Sequence, residues 1–178
     1  MWTHNSYRVH SPGADTVEWF LSKVKWTPGD TIIDLGCGTG RAGEKLASKG
    51  LQVRLLDFCK DAVEVDLPFT DACLWSLPPG LPRFDWIYCA DVLEHIPREY
   101  LGKVFDSIAS LTIRGGYIQV ATAPDGCGKI IGETLHLTVE PSAWWYEQIK
   151  LRWNMATNDD EVVRNLARAR FIIGEPYA

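Results

Sequence analysis

The sequence predicts an α/β fold: a doubly wound, mostly parallel sheet of seven strands with helices on both faces. Two observations carry the prediction. The apolar run at 31–35 ends in three alternating glycines, Gly36, Gly38 and Gly40, and a helix-compatible run follows at 41–49. From there to residue 149, apolar stretches of strand length alternate with stretches of helical period. Such alternation implies crossover connections and therefore parallel strands. A chain of 178 residues is long enough to enclose a full core in one domain. The expected layout is a single domain over 1–178: a flexible arm at 1–13, a motif-bearing core at 14–150 and a final strand pair within 151–178.

Residues 14–25 carry Val17, Phe20, Leu21 and Val24 at helical spacing. Pro28 and Gly29 mark the turn into the first strand. The second strand spans 52–56 and ends at Asp57. A short helix is expected at 60–65 and a short strand ending near Thr70. Pro78, Pro79, Gly80 and Pro82 form a rigid loop before an apolar strand at 85–90. Residues 98–111 place Leu101, Val104, Phe105, Ile108 and Leu111 on one helical face. Gly115 and Gly116 read as a turn into a strand at 117–122. A glycine-rich loop covers 124–133. A helix at 142–149 has Pro141 near its start. Strands at 151–156 and 170–173 complete the sheet.

Composition narrows the functional classes. The net charge of −5, with no basic stripe, counts against a nucleic-acid partner. No segment has the length and apolarity of a membrane span, and 1–10 lacks the apolar core of a signal peptide. The five cysteines are odd in number and lack zinc-ligand spacing, so they read as reduced thiols in a cytoplasmic protein. Eight tryptophans is a high count. Most should serve the core, and Trp144 and Trp145 are candidates for an acceptor wall.

The glycine loop is the chemical centre of the sequence. Residues without Cβ let the chain turn sharply and let a ligand approach the backbone. The helix that follows presents unpaired N–H groups. A dinucleotide fingerprint would place a third glycine three residues after Gly38, where Arg41 stands. Asp34 can accept from backbone donors of the loop or from a cationic amine. Asp57 ends the second strand about 20 residues after the loop, where a carboxylate can accept both ribose hydroxyls of an adenosine ligand.

The spelling Asp34-Leu35-Gly36-Cys37-Gly38-Thr39-Gly40 resembles motif I of class I, Rossmann-like S-adenosylmethionine-dependent methyltransferases. Phe84-Asp85-Trp86-Ile87-Tyr88-Cys89-Ala90-Asp91-Val92-Leu93-Glu94-His95-Ile96 resembles that family's fourth strand and the turn after it. With Arg114-Gly115-Gly116, the resemblance spans roughly residues 15–150. It implies S-adenosylmethionine as cofactor, S-adenosylhomocysteine as product, and a small-molecule acceptor methylated on oxygen or nitrogen. The implied cofactor contacts are Asp34, Gly36, Cys37, Gly38, Gly40, Asp57, Phe58, Asp71, Ala72 and Asp91. In that set Asp71 accepts from the adenine amine and the Ala72 N–H meets a ring nitrogen.

Asp91, Glu94 and His95 fall at i, i+3 and i+4, which is one face of a helical turn. In ubiquinone-pathway and small-RNA 2′-O-methyltransferases, an acid-x-x-Glu-His turn and a later His bind magnesium. The corresponding set here is Asp91, Glu94, His95 and His136, with Asp91 one methylene shorter than the Glu of that pattern. A metal-free site is therefore favoured over magnesium, with His136 and His95 as the candidate catalytic residues. Two other classes remain beside the small-molecule enzyme: a metal-dependent RNA 2′-O-methyltransferase and a non-catalytic S-adenosylmethionine-binding partner protein. Candidate lids are 2–11 and 124–138.

Overall fold

Alternate side chains of the central strands feed two separate cores, and this fixes the layering. Ile32 and Ile33 are neighbours on one strand, yet they lie in different buried clusters. Both faces of the strand are apolar, so each face needs its own helical layer. The computed structural model of the protein describes residues 8, 12–126, 128, 132–154, 156–163 and 166–177.

Among these residues the order is α1 (Val17–Lys23), β1 (Thr31–Leu35), α2 (Arg41–Ser48), β2 (Gln52–Asp57), β3 (Phe69–Asp71), β4 (Phe84–Ala90), α3 (Arg98–Leu111), β5 (Thr112–Ala121), α4 (Ser142–Ile149), β6 (Ala156–Val163) and β7 (Leu166–Ile173). Single 3₁₀ turns cover Lys60–Ala62 and Leu93–His95. The seven strands lie in the order β3-β2-β1-β4-β5-β7-β6. β1 to β5 pair in parallel, and β7 runs antiparallel to both of its neighbours. α1 and α2 cover one face through Val17, Phe20, Leu21 and Leu46. α3 and α4 cover the other through Leu101, Val104, Phe105, Ile108, Trp145 and Ile149. The strand order reverses between β1 and β4, so a crevice opens at their carboxyl ends.

The predicted α/β class, seven strands and two-sided helical cover are all present. Several boundaries differ. Gly115 and Gly116 do not form a turn; they sit inside β5. A Cβ on Gly115 would lie 2.1 Å from the Ile173 carbonyl of β7, and one on Gly116 would lie 2.2 Å from the Ile87 carbonyl of β4. The pair lets β5 close against both neighbours, and the β4–β5 register shifts at this point. Residues 151–156 are not the penultimate strand. That strand is Ala156–Val163, which lies at the sheet edge and pairs with β7. Its polar residues Thr157, Asn158 and Asp159 are exposed, so no apolar alternation marks it. The helix expected at 60–65 is one 3₁₀ turn, because the backbone is already extended at Val63. The first helix begins only at Val17: residues 14–16 form a turn, with Thr16 bonded to the Gly13 carbonyl.

Of the arm at 1–13, most falls outside the described residues. Arg8 within it pairs with Glu64 at 2.9 Å. Trp145 and Trp153 are fully buried beside Phe105, so Trp145 belongs to the core and not to an acceptor wall. Trp144 carries the Arg98 guanidinium 4.8 Å from its ring centre.

Gly102 sits on the exposed side of α3 with open space around the position of a Cβ. Gly102→Ala should stabilise the protein by about 0.5–1 kcal/mol, since alanine has less backbone entropy to lose. Equilibrium urea unfolding checks this. An unchanged or lowered midpoint would contradict the helix placement.

Candidate active site

The glycine loop closes the carboxyl end of β1 with three residues in left-handed conformation: Gly36 at φ 66°, Gly38 at 52° and Gly40 at 81°. At Gly36 the requirement is spatial as well, since a Cβ would lie 2.5 Å from Val92 Cγ2. Val92 belongs to the segment after β4, so this glycine lets the loops of β1 and β4 meet. The Gly36 and Cys37 N–H groups donate to the Leu56 carbonyl at 2.7 and 3.1 Å. Gly38 N–H donates to Asp57 Oδ2 at 2.9 Å, and Cys59 N–H to Asp57 Oδ1 at 2.9 Å. Asp57 therefore ties the loop to the end of β2. The packing role of a third fingerprint glycine falls to Gly43 in α2, where a Cβ would lie 2.4 Å from Leu55.

Asp34 is buried beneath the loop, and its Oδ2 has no hydrogen-bond partner. Burial pushes its pKa up to about 7; the Gly43 backbone N–H opposes the shift and the Asp57 charge adds to it. Burial also raises the Asp57 carboxyl, against the bonds from Gly38 and Cys59. Phe58, the next residue, is 70% exposed at the rim of the same crevice. Asp71 lies exposed at the end of β3. The Ala72 N–H donates to the Asp57 carbonyl at 3.1 Å, so it is occupied by the β2–β3 connection and not free for a ring nitrogen.

The turn after β4 departs from the helical reading. Leu93–His95 is a 3₁₀ turn, and Asp91 precedes it with φ 54°. Asp91 is not part of the group that Glu94 and His95 form with His136. Its Oδ1 accepts from Gln119 Nε2 at 2.9 Å and its Oδ2 pairs with Arg168 at 3.2 Å. Gln119 is held in turn by the Tyr117 hydroxyl, which donates to its Oε1 at 2.7 Å. Burial raises the Asp91 pKa, and Arg168 offsets part of that.

Glu94, His95 and His136 do converge. One ligand atom from each lies within 4.8 Å of the other two. The cause is a stitched loop: Leu137 and Thr138 N–H donate to the Glu94 carbonyl at 2.7 and 3.0 Å, and Thr138 Oγ1 donates to the Ile96 carbonyl at 2.8 Å. The two imidazoles meet edge to face, 5.0 Å between centres. His95 Nδ1 lies 2.9 Å from the Leu135 carbonyl and His136 Nδ1 2.7 Å from the Ala123 carbonyl. A carbonyl only accepts, so each Nδ1 carries a proton and Nε2 is the nitrogen left to face a ligand. Burial lowers the His95 pKa, which keeps this ring neutral. Glu94 is fully buried; Oε1 accepts from Ala121 N–H at 3.1 Å and Oε2 has no partner. Burial, with Asp91 next, raises its carboxyl well above the usual range. The donor set is one carboxylate and two imidazoles, which suits a divalent cation or proton exchange with a bound acceptor.

Sequence reasoning had no role for Gln119, Arg168 or Asp15. A lone amide inside the run Tyr117-Ile118-Gln119-Val120 was the available signal, since a strand buried on both faces seldom spends a position on a polar group.

A methyltransferase-domain family profile matches residues 32–116, which contain the glycine loop, Asp57 and the turn after β4. A ubiquinone biosynthesis O-methyltransferase of Vibrio cholerae is 28% identical over 125 residues, covering 64% of this chain and 50% of the relative. The chain thus spans half the length of that protein. The magnesium protoporphyrin IX methyltransferase of Synechocystis, solved with bound S-adenosylhomocysteine, superposes with a TM-score of 0.70 at 23% identity, over 93% of this chain and 83% of that one. A methyltransferase solved in complex with the Haloferax volcanii Trm112 activator superposes with a TM-score of 0.73 at 15% identity, over 99% and 96%.

The Asp34 carboxyl supplies a pH test of the site. Its folded pKa lies above the unfolded value of about 3.9, so its contribution is full below that value and is lost as pH rises through about 7. Asp34→Asn removes this dependence and keeps an acceptor for Gly43. Between pH 5 and pH 7 the variant should gain on the order of 2 kcal/mol relative to the parent. Urea midpoints at the two pH values measure it, and a pH-independent difference would contradict a raised pKa for this buried carboxyl.

Proposed function

We propose that this chain, which carries a class I, Rossmann-like methyltransferase domain, transfers a methyl group from S-adenosylmethionine to an oxygen or nitrogen of a small-molecule acceptor. The observation that carries the reading is a juxtaposition. The Gly36–Gly40 loop with Asp57 and the Glu94–His95–His136 cluster stand at the two sides of one strand-order reversal. Among the relatives named above are a ubiquinone biosynthesis O-methyltransferase and a magnesium protoporphyrin IX methyltransferase with bound S-adenosylhomocysteine, which supports the class of chemistry.

The residues fit the cofactor. Gly36, Gly38 and Gly40 hold the left-handed turn that carries the loop backbone across the carboxyl end of β1. Asp57 uses one lone pair per oxygen on the loop and keeps capacity for ribose hydroxyls. Asp34 Oδ2 is a buried polar atom still without a partner. When bound, the cofactor supplies an activated methyl on a sulfonium. The protein's part is then alignment and exclusion of water. Asp71 and Phe58 border the adenine side, while Asp91 is committed to Gln119 and Arg168. His136 Nε2 takes the acceptor's proton, and neutral His95 beside it orients the acceptor or shares that role. The reading includes a reducing, cytoplasmic setting, which the four unpaired thiols among the described residues support. No helix among the described residues is long and apolar enough to cross a membrane.

Glu94 favours a second reading. Its unpartnered, buried Oε2 and the two Nε2 atoms are the donors a divalent cation needs, and a cation there would lower the pKa of an acceptor hydroxyl. The set is three residues, since Asp91 has gone to Arg168. The RNA-directed class is less well supported, because the net charge of −5 and the lack of a basic stripe in the sequence count against it. A non-catalytic binding protein, such as the subunit of an activator complex, would bind the cofactor and show no turnover.

Asp57→Ala removes a charged acceptor and should weaken S-adenosylhomocysteine binding by about 1.5–3 kcal/mol; Gly38→Val should block close approach and weaken it too. Calorimetry reads both, and unchanged affinity in both variants would exclude this cofactor site. Once an acceptor is found, His136→Ala should lower kcat more than cofactor affinity. Turnover indifferent to a chelator supports the metal-free form. Loss of turnover to a chelator, restored by a divalent cation, supports the second reading. Retained kcat in His136→Ala would remove this residue from catalysis.

A further inference from the structure

Arg168 of β7 reaches across to the end of β4 and holds two carboxylates of very different character. Asp91 is 9% exposed in its side chain, is fixed by Gln119, and lies 3.2 Å from Arg168 Nη2. Asp15 is 67% exposed and lies 3.6 Å from Nη1, an ion pair beyond hydrogen-bond length. The guanidinium itself is 14% exposed. Burying that cation is tolerable because Asp91 neutralises it. Asp15 adds little: an exposed pair without a hydrogen bond is worth at most a fraction of a kcal/mol.

A guanidinium presents a planar fork suited to a bidentate carboxylate, and here neither partner takes it that way, since one nitrogen goes to each. One nitrogen pairs with the buried Asp91. The other is held by a side chain that can swing into water. The location is the crevice side of the sheet: Arg168 is the β7 partner of Ala121, whose N–H binds Glu94. Asp91 feels the charge of His136 as well as that of Arg168.

We propose that Arg168 is a receptor for a ligand carboxylate, and that Asp15 is an exchangeable internal stand-in displaced when the ligand binds. The ligand's identity rests on the methyl-transfer reading; the exchange itself does not. Two sources present this chemistry at the crevice, the amino-acid end of the cofactor and a carboxylate on the acceptor. Asp91, beside the same guanidinium, would face a ligand ammonium in the first case.

The test compares parent, Asp15→Asn, Arg168→Gln and the double variant by titration with two matched pairs of probes. S-adenosylhomocysteine carries the carboxylate and 5′-methylthioadenosine lacks it. Benzoate carries one and benzamide is its neutral counterpart. Removing the stand-in should tighten the carboxylate probe of one pair by about 2- to 4-fold and leave its neutral partner unchanged, and the gain should vanish in the double variant. A gain confined to S-adenosylhomocysteine identifies the cofactor source; a gain confined to benzoate identifies the acceptor source. Equal affinities of parent and Asp15→Asn for all four probes would overturn the proposal. Asp15 is exposed, so that result cannot come from misfolding. Should neither nucleoside bind the parent, the cofactor reading fails separately, and the benzoate pair still decides the exchange.

Discussion

The Asp57 carboxylate is the tie on which the site depends. It bonds Gly38 N–H with one oxygen and Cys59 N–H with the other, and so locks the β1 loop to the β2 loop. The three left-handed glycines need such a lock, because a flexible backbone held in a tight turn loses more entropy than any other. Gly36 extends the connection to the β4 loop through its contact with Val92. Three strand ends are thereby fixed relative to one another, and the turn bearing Glu94 and His95 follows directly from the third.

Charge in this crevice is arranged by burial more than by pairing. Asp34 and Glu94 each keep one oxygen without a partner, at the floor of the loop and beneath the histidine pair. Desolvation at such positions costs free energy in the ligand-free protein. Sites of this kind concentrate where a ligand supplies the missing interaction, so the strain points to function. Asp91 shows the opposite solution. Its carboxylate is satisfied by Gln119 and Arg168, at the expense of a left-handed backbone.

Much of this was legible in the sequence because it is local. The glycine loop, the strand that precedes it and the position of Asp57 at the end of β2 all depend on residues close in sequence. So does the helical face of α3. The convergence of His136 with that turn also appeared, through a resemblance and not through spacing. What stayed hidden depends on distant partners. Asp91 stays out of the Glu94–His95–His136 group because Arg168, far along the chain, and Gln119 hold its oxygens. Gly115 and Gly116 read as a turn because their need for close approach is visible only with β4 and β7 in place. β6 carries no apolar alternation, since an edge strand held by backbone pairing can be polar. The Ala72 N–H was assigned to a ligand because its donation to the Asp57 carbonyl requires the β2–β3 ladder.

The central claim is that one crevice presents a cofactor sulfur to the histidine pair. Its most direct test is a crystal structure of the protein with S-adenosylhomocysteine. The account predicts ribose hydroxyls on Asp57, the backbone of Gly36 and Gly38 against the ligand, and the sulfur facing the Nε2 atoms of His95 and His136. A ligand bound elsewhere, or a sulfur turned away from both histidines, would contradict it.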